Sequence, residues 1–385
     1  MVTALPYLLL VVFYGLLAVY QYTKDDEKTR FYVNVFSVGV FLLFFGLRGF
    51  IFYDWVNYYP TFLATPDLKT QLTIPLLKWE AEYGFTLLMI FCRSIYPNWH
   101  FFVFVCTLIN VILLLNFLKS RVENIPFVLV LFLCFGGLEL STDLMRNSIA
   151  ILVFINSITF IQQRKPLPFV LLCLLGALFH LSALFYLPFY LILRIRYNKW
   201  LLIAIFIVVN AIYLLHIPIF KTLISLVASL IVPSAQLWIE EYMEFDVGGS
   251  VLSIGYLERL ISGILLFCYI NKLRECREEG NIFVNSMAMY LFLYLLLSEF
   301  RTISVRVSML FVFGYWIFWY DMLKCFYYRS NRLLFASFIG IYSLLKVYGI
   351  CSNPLASYDN LLLGIKSYTE RIVLFRRHFD DVKNK

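Results

Sequence analysis

The sequence predicts an all-α, polytopic integral membrane protein with about 12 spanning or half-spanning helices. Of 385 residues, 62% are hydrophobic and only 15% are charged, and the mean hydropathy is +0.81. So few charges cannot cover that much apolar surface in water. Apolar runs approaching the ~20 residues that cross ~30 Å of hydrocarbon recur from end to end. The polar interruptions are few and local, the densest being Glu139-Leu-Ser-Thr-Asp143-Leu-Met-Arg146-Asn147.

Taken in order, spans are expected near 4–22, 31–50, 101–118, 126–140, 145–162, 167–180, 182–194, 199–216, 252–270, 282–299, 304–323 and 333–350. Several fall short of 18 residues and read as half-helices or hairpins, which survive at membrane depth only where protein or a watery cavity covers their ends. The stretch 83–96 is taken as interfacial. Residues 1–350 then form a single multi-span domain with longer loops at 51–100 and 217–251, followed by a basic C-terminal tail at 351–385. The chain opens without a basic n-region or a clear cleavage site, so its first apolar run reads as a span rather than a removed signal.

The net charge of +8 comes from basic residues scattered between apolar runs, a pattern of membrane orientation and not of nucleic-acid binding. Loops at 24–30, 119–121, 164–165, 194–199, 272–277 and 324–332 hold sixteen Lys and Arg, against eight in the opposite set. The positive-inside rule places the first set in the cytoplasm and the N-terminus outside. The tail also lands outside, against the rule. The eight cysteines form no CxxC pair and read as small core residues. Four histidines without ligand spacing imply no metal site, and no nucleotide-binding or hydrolase motif occurs in a usable context, so no cofactor is expected.

With that topology the polar residues at span ends collect on the outer side. Arg48, between Gly46 and Gly49, precedes Asp54, Asn57 and Tyr58. Such an arginine alone often snorkels to headgroups, but flanking glycines allow close backbone approach. Asp54, Asn57 and Tyr58 offer the acceptors and aromatic faces that sugar-binding sites use. Glu82 reads either as a helix cap or as a site carboxylate. Glu139, Asp143 and Arg146 stand at i, i+4 and i+7, one face of a continuous helix. Charges in hydrocarbon cost several kcal/mol, roughly 2.5–3.5 on insertion scales, so they face a cavity, a substrate or each other. His180, at a hairpin tip beside Ser182, is either a hydrogen-bonded core residue or an acid–base group near neutral pH. Glu299 and Arg306 share a face if their helix is continuous, as an interhelical ion pair or part of a site, while Arg301 points elsewhere. Four arginines among carboxylates suit a phosphate or pyrophosphate.

These pieces, Arg48-Gly with Asp54-x-x-Asn57-Tyr58, Glu82-x-Gly-Phe, Leu144-Met-Arg146-Asn-Ser-Ile-Ala150, Ala177-Leu-Phe-His180-Leu-Ser-Ala and the Glu299/Arg301/Arg306 region, resemble in order and spacing the EpsG-like branch of Wzy-type polymerases, which build bacterial O-antigen, capsule and exopolysaccharide. Asn147 stands where that family commonly has Gln, and the basic tail is not part of the pattern. The resemblance implies a membrane glycosyltransferase bundle of GT-C-like type in the bacterial cytoplasmic membrane. Its active site would face the exterior and transfer a growing glycan from undecaprenyl pyrophosphate to the next lipid-linked repeat unit. It implies catalytic roles for Arg146, Arg306, Glu82 and His180, and substrate contacts from Arg48, Asp54, Asn57, Tyr58, Glu139, Asp143, Glu299 and Arg301. A flippase and a chain-length co-polymerase are the expected partners. The rivals are an O-antigen ligase or another polyprenyl-dependent glycosyltransferase, a lipid or glycan transporter, for which repeat symmetry is missing, and a membrane acyltransferase, whose thioester donor comes from the cytoplasm.

Overall fold

In the computed structural model, residues 2–24, 26–73, 82–219, 221–222 and 253–383 are described; most of the expected loop at 217–251 lies outside them. Apolar sequence fixes helices because every backbone polar group in lipid must be satisfied within its own segment. Seven helices among the described residues are long and apolar enough to cross a bilayer, or eight if one bent pair counts as a span. The chain divides into two compact units, residues 1–190 with 328–385, and residues 191–327.

Unit 1 contains α1 (Leu5–Lys24), α2 (Glu27–Gly46), α3 (Trp55–Ala64), α4 (Leu68–Gln71), α5 (Tyr83–Ile95), α6 (Trp99–Leu118), α7 (Ile125–Phe132), α8 (Leu138–Thr142), α9 (Met145–Gln162) and α10 (Pro166–Ala177). A 3-10 turn at Leu181–Tyr186 follows, α11 (Phe189–Ile192) bridges into the second unit, and α17 (Arg329–Cys351) with α18 (Tyr368–Lys383) completes the first. Unit 2 holds α12 (Lys199–Leu214), α13 (Ile254–Glu275), α14 (Gly280–Leu296), α15 (Arg301–Met309) and α16 (Phe313–Cys325). Several helices start where a short polar side chain takes up a free backbone N–H. Asp26 accepts from Thr29 N at 2.7 Å, Asn124 from Phe127 N at 3.0 Å and Ser253 from Tyr256 N at 3.2 Å.

Each expected span coincides with a helix or helix–turn element to within a few residues, but three premises about continuity fail. The run 126–140 is broken: Phe135 leaves helical geometry, Gly136 has φ 79°, and a Cβ on Gly137 would sit 2.1 Å from the Phe132 ring. The acidic run 139–146 is broken again, because α8 ends at Thr142 and α9 begins at Met145 with Leu144 (φ −103°, ψ 48°) between them. Glu139, Asp143 and Arg146 therefore do not share one helix face. Glu299 likewise lies in the turn between α14 and α15, so it and Arg306 are not on one continuous helix. The backbone turns at these places because Gly and polar residues there cannot sustain an apolar helix end inside lipid.

The core beneath the end of unit 1 is aromatic. Phe50, Trp55, Phe62, Phe85, Trp99 and Phe102 are buried together, and Tyr368, Ile372 and Phe375 of α18 pack against them. Those three positions recur at i, i+4 and i+7, one stripe of an amphipathic helix. Tyr368 stacks on Tyr59 with ring centroids 4.6 Å apart, and Phe375 meets Trp55 edge-on at 6.0 Å. The segment expected as a basic tail is thus folded onto α3, at the same end of the unit as Arg48 and Asp54.

Candidate functional site

The segment 47–54, between α2 and α3, is held by the C-terminal stretch. Phe52 N donates to Leu355 O (2.9 Å), Leu361 N to Leu47 O (2.8 Å) and Gly49 N to Asp359 O (3.1 Å). The Asp359 carboxylate accepts from Lys366 N (2.8 Å) and pairs with Arg371 at 2.8 Å, both side chains being sealed at 9% and 2% exposure. Gly49 is required by this arrangement: a Cβ there would lie 2.0 Å from Asp359 Oδ1. Phe52 is buried in the left-handed region (φ 62°), a conformation costly for a side chain with a Cβ and maintained only where neighbours enforce it. Arg48 is buried too. Its Nη1 donates to Phe45 O (2.6 Å) and Thr107 Oγ1 (3.1 Å), tying the end of α2 to α6. Burial lowers its pKa to about 10, still far above neutrality.

Asp54 and Asp143 exchange caps. Asp143 Oδ1 accepts from Tyr53 N (2.7 Å) and Asp54 N (3.3 Å) at the start of α3, while Asp54 Oδ2 accepts from Met145 N (3.2 Å) at the start of α9. Each carboxylate thus sits at the positive end of the other's helix. The swap locks α3 to α9, which explains why the acidic residues recur where the helices break. Burial pushes the Asp143 carboxyl up from 3.8 to about 7, opposed by the Tyr53 N–H and assisted by the charge of Asp54.

Because α3 and α9 are locked, Tyr58 and Arg146 meet. Arg146 Nε donates to Tyr58 Oη (2.7 Å), the guanidinium lies 5.3 Å from that ring, and its Nη1 pairs with Glu82 Oε2. This pair is half-open, with side-chain exposures of 24% and 16%. Glu82 stands at the N-terminus of α5 without capping it; its other oxygen accepts from Leu181 N (3.3 Å). Gly84 permits that reach. Its N–H donates to Leu178 O at 2.7 Å, and a Cβ would stand 2.8 Å from the same oxygen. The start of α5 is therefore pressed against the end of α10, beside His180.

His180 begins the 3-10 turn. Its Nδ1 lies 2.8 Å from Ser182 Oγ and accepts from Ser182 N at 3.2 Å, and Ser182 Oγ donates to Asn147 Oδ1 at 2.9 Å. Asn147 follows Arg146 directly, so the turn bearing His180 is tied to the helix bearing the guanidinium. Unit 1 brings together Tyr58, Glu82, Arg146 and His180 in one network, with Asp54 and Asp143 supporting it. Asn57 is exposed on α3, near Tyr58 in sequence. Glu139 is half-buried, its Oε2 without a hydrogen-bond partner among the described residues, and its charge acts on Asp143. Glu299, Arg301 and Arg306 belong to unit 2, where Glu299 accepts from Lys221 N (2.9 Å), Arg301 starts α15 and Arg306 is exposed near its end.

Two members of the network, Asn147 and Ser182, escape a search for charged residues. Their signal was positional, each standing within two residues of a candidate. Asp359 and Arg371 had none, because the segment they close reads as a tail. Chemically, a half-open arginine held by a carboxylate and a phenol, beside an imidazole, can receive an anion and manage a proton.

A family model described as the EpsG family matches residues 31–362, most of the chain. No curated protein and no solved structure matches.

Proposed function

Since the chain belongs to the EpsG family, a family of Wzy-like polymerases, we propose that it extends a polysaccharide by moving the growing glycan from undecaprenyl pyrophosphate to the next lipid-linked repeat unit, at the outer face of the bacterial cytoplasmic membrane. The observation that carries the reading is the half-open Arg146–Glu82 pair with Tyr58 beneath it. A pyrophosphate arriving at Arg146 competes with Glu82 for the guanidinium. Binding therefore releases the carboxylate at the moment a base is needed.

In the transfer, the acceptor hydroxyl oxygen forms a bond to the donor's anomeric carbon. The bond from that carbon to the pyrophosphate oxygen breaks, and undecaprenyl pyrophosphate leaves with the electron pair. Arg146 stabilises the charge developing on the leaving group, an effect worth about 10²–10³ in rate for one well-placed donor. The hydroxyl proton passes to Glu82 or to His180, which Ser182 and Asn147 hold in place. Asn57 and Tyr58 are contacts for sugars. Arg48, Asp54 and Asp143 position the helices that carry these groups.

The test is deletion of the gene in its host, with surface polysaccharide resolved on a gel and the strain complemented by wild type or Arg146→Ala. The expected result is collapse of a ladder to single-repeat material, rescued only by wild type, with the variant expressed and inserted normally. Full-length polymer that fails to join its lipid core identifies a ligase instead. An unaltered ladder in the deletion strain refutes both.

A further inference from the structure

We propose that the turn at 361–365, inside the stretch that reads as a tail, is a lipid-inserted anchor, with its leucines among acyl chains and the basic residues behind it on anionic headgroups. The inference needs no assumption about the reaction.

The turn is ordered by Asn360. The Asn360 carbonyl accepts from Leu363 N (2.9 Å), its side-chain oxygen accepts from Leu362 N (3.0 Å), and its backbone bridges to Gly364. Gly364 closes the turn at φ 101°, a conformation that strains any residue with a Cβ. Leu361, Leu362, Leu363 and Ile365 are turned outward together, with Leu362 71% and Leu363 83% exposed. Consecutive leucines displayed on an ordered turn are costly in water and mark a surface that another apolar phase covers. Polar residues would close the same turn without that cost.

The depth of the turn identifies the phase. Asn360 Nδ2 donates to Leu43 O (3.1 Å) in the last turn of α2, and Leu361 N donates to Leu47 O just past its end. Tyr358 stacks on Phe44 of the same turn, with ring centroids 4.2 Å apart, and Tyr7 in the first turn of α1 donates to Ala356 O (2.9 Å). Both α1 and α2 are long and apolar enough to cross a bilayer. The segment therefore runs level with the ends of two spans, where hydrocarbon gives way to headgroups. Leu43 is itself exposed there, as are Val35 and Phe36 further along α2, so the turn continues the apolar outer face of a span.

Charge selects the lipid. Lys366 follows the turn, and Arg376 and Arg377 are exposed on α18, against one exposed carboxylate, Glu370, among the side chains of 361–378. Arg371 is withdrawn into its pair with Asp359. An apolar insertion flanked by lysine and arginine suits the boundary of an anionic leaflet, where the cations meet phosphate and the apolar part enters the acyl region. Because the same segment is hydrogen-bonded to the loop before α3, the anchor braces the end of unit 1 that carries Asp54.

The test places the photoreactive residue p-benzoylphenylalanine at Leu362 or at Leu363 of the full-length protein. Nanodiscs of equal phosphatidylglycerol and phosphatidylcholine are irradiated, and adducts are read by intact mass. Lipid adducts are expected at both positions, with phosphatidylglycerol favoured roughly threefold or more. Adding Lys366→Gln, Arg376→Gln and Arg377→Gln should return the adducts to the proportions of the mixture. A thermal melt within a few degrees of wild type certifies the fold of each variant. A readout that needs no variant is trypsin cleavage of wild type at Lys366, expected to be roughly fivefold slower in phosphatidylglycerol nanodiscs than in phosphatidylcholine ones. Cross-linked dimers, or adducts to another protein when cell membranes are irradiated, overturn the proposal. So does a folded protein whose probe reacts with no lipid. Lipid adducts in the proportions of the mixture before the basic residues are changed, or equal cleavage in the two nanodiscs, overturn the anionic headgroups.

Discussion

Two of the arginine–carboxylate pairs in unit 1 have similar chemistry and different fates. Arg371 and Asp359 are sealed between the C-terminal segment and Gly49, whereas Arg146 and Glu82 keep about a fifth of their side-chain surface open. The sealed pair cannot exchange its partner without dismantling the segment that covers α3. The half-open pair can, because an incoming oxyanion replaces what the carboxylate gives up. Exposure, not residue type, separates an arginine that fastens the fold from one suited to a substrate.

The largest expected effect tests the sealed pair. Arg371→Ala strands a buried carboxylate, which typically costs about 3–5 kcal/mol. The melting temperature in detergent should fall sharply, and protease should gain access to the stretch after Cys351. A melt equal to that of Arg146→Ala would erase the distinction between the two pairs. Arg146→Ala is expected to lose polymerisation by the 10²–10³ already given while melting nearly as wild type does.

Asp143 sharpens the comparison through pH. Its folded-state pKa of about 7 exceeds the ordinary 3.8, so between these values the folded protein holds the extra proton. Stability contributed by this group is present below about 4 and lost as pH rises through about 7. Asp143→Asn, which cannot ionise, should flatten the fall in melting temperature between pH 5 and 8 relative to wild type. Parallel curves for the two proteins would contradict the raised value.

The smallest effect is expected at Ser182. Removing its hydroxyl breaks the link from Asn147 to His180 and should cost about 1 kcal/mol or less in stability, the net worth of one neutral hydrogen bond. A several-fold drop in rate with a displaced pH optimum, measured on lipid-linked repeat units, is the expected signature. A rate loss with an unmoved optimum would make Ser182 a packing residue.

Composition alone determined that this chain is helical and membrane-embedded, because apolar runs of that length admit no other structure in lipid. Local pattern also identified Arg146, Glu82, Tyr58 and His180 as residues needing an explanation, since polar groups are costly where the surroundings are apolar. Tertiary structure decided how each was satisfied. It turned Arg48 inward to Phe45 and Thr107, crossed the Asp54 and Asp143 carboxylates between α3 and α9, and folded the presumed tail over the aromatic core. It also revealed Arg259 seated on tyrosine rings, inside a run that reads only as a span. Hydrophobicity acts through the average character of some twenty residues and so survives in sequence. Hydrogen bonds and ion pairs act through single contacts between residues far apart in the chain, and only the folded geometry selects their partners.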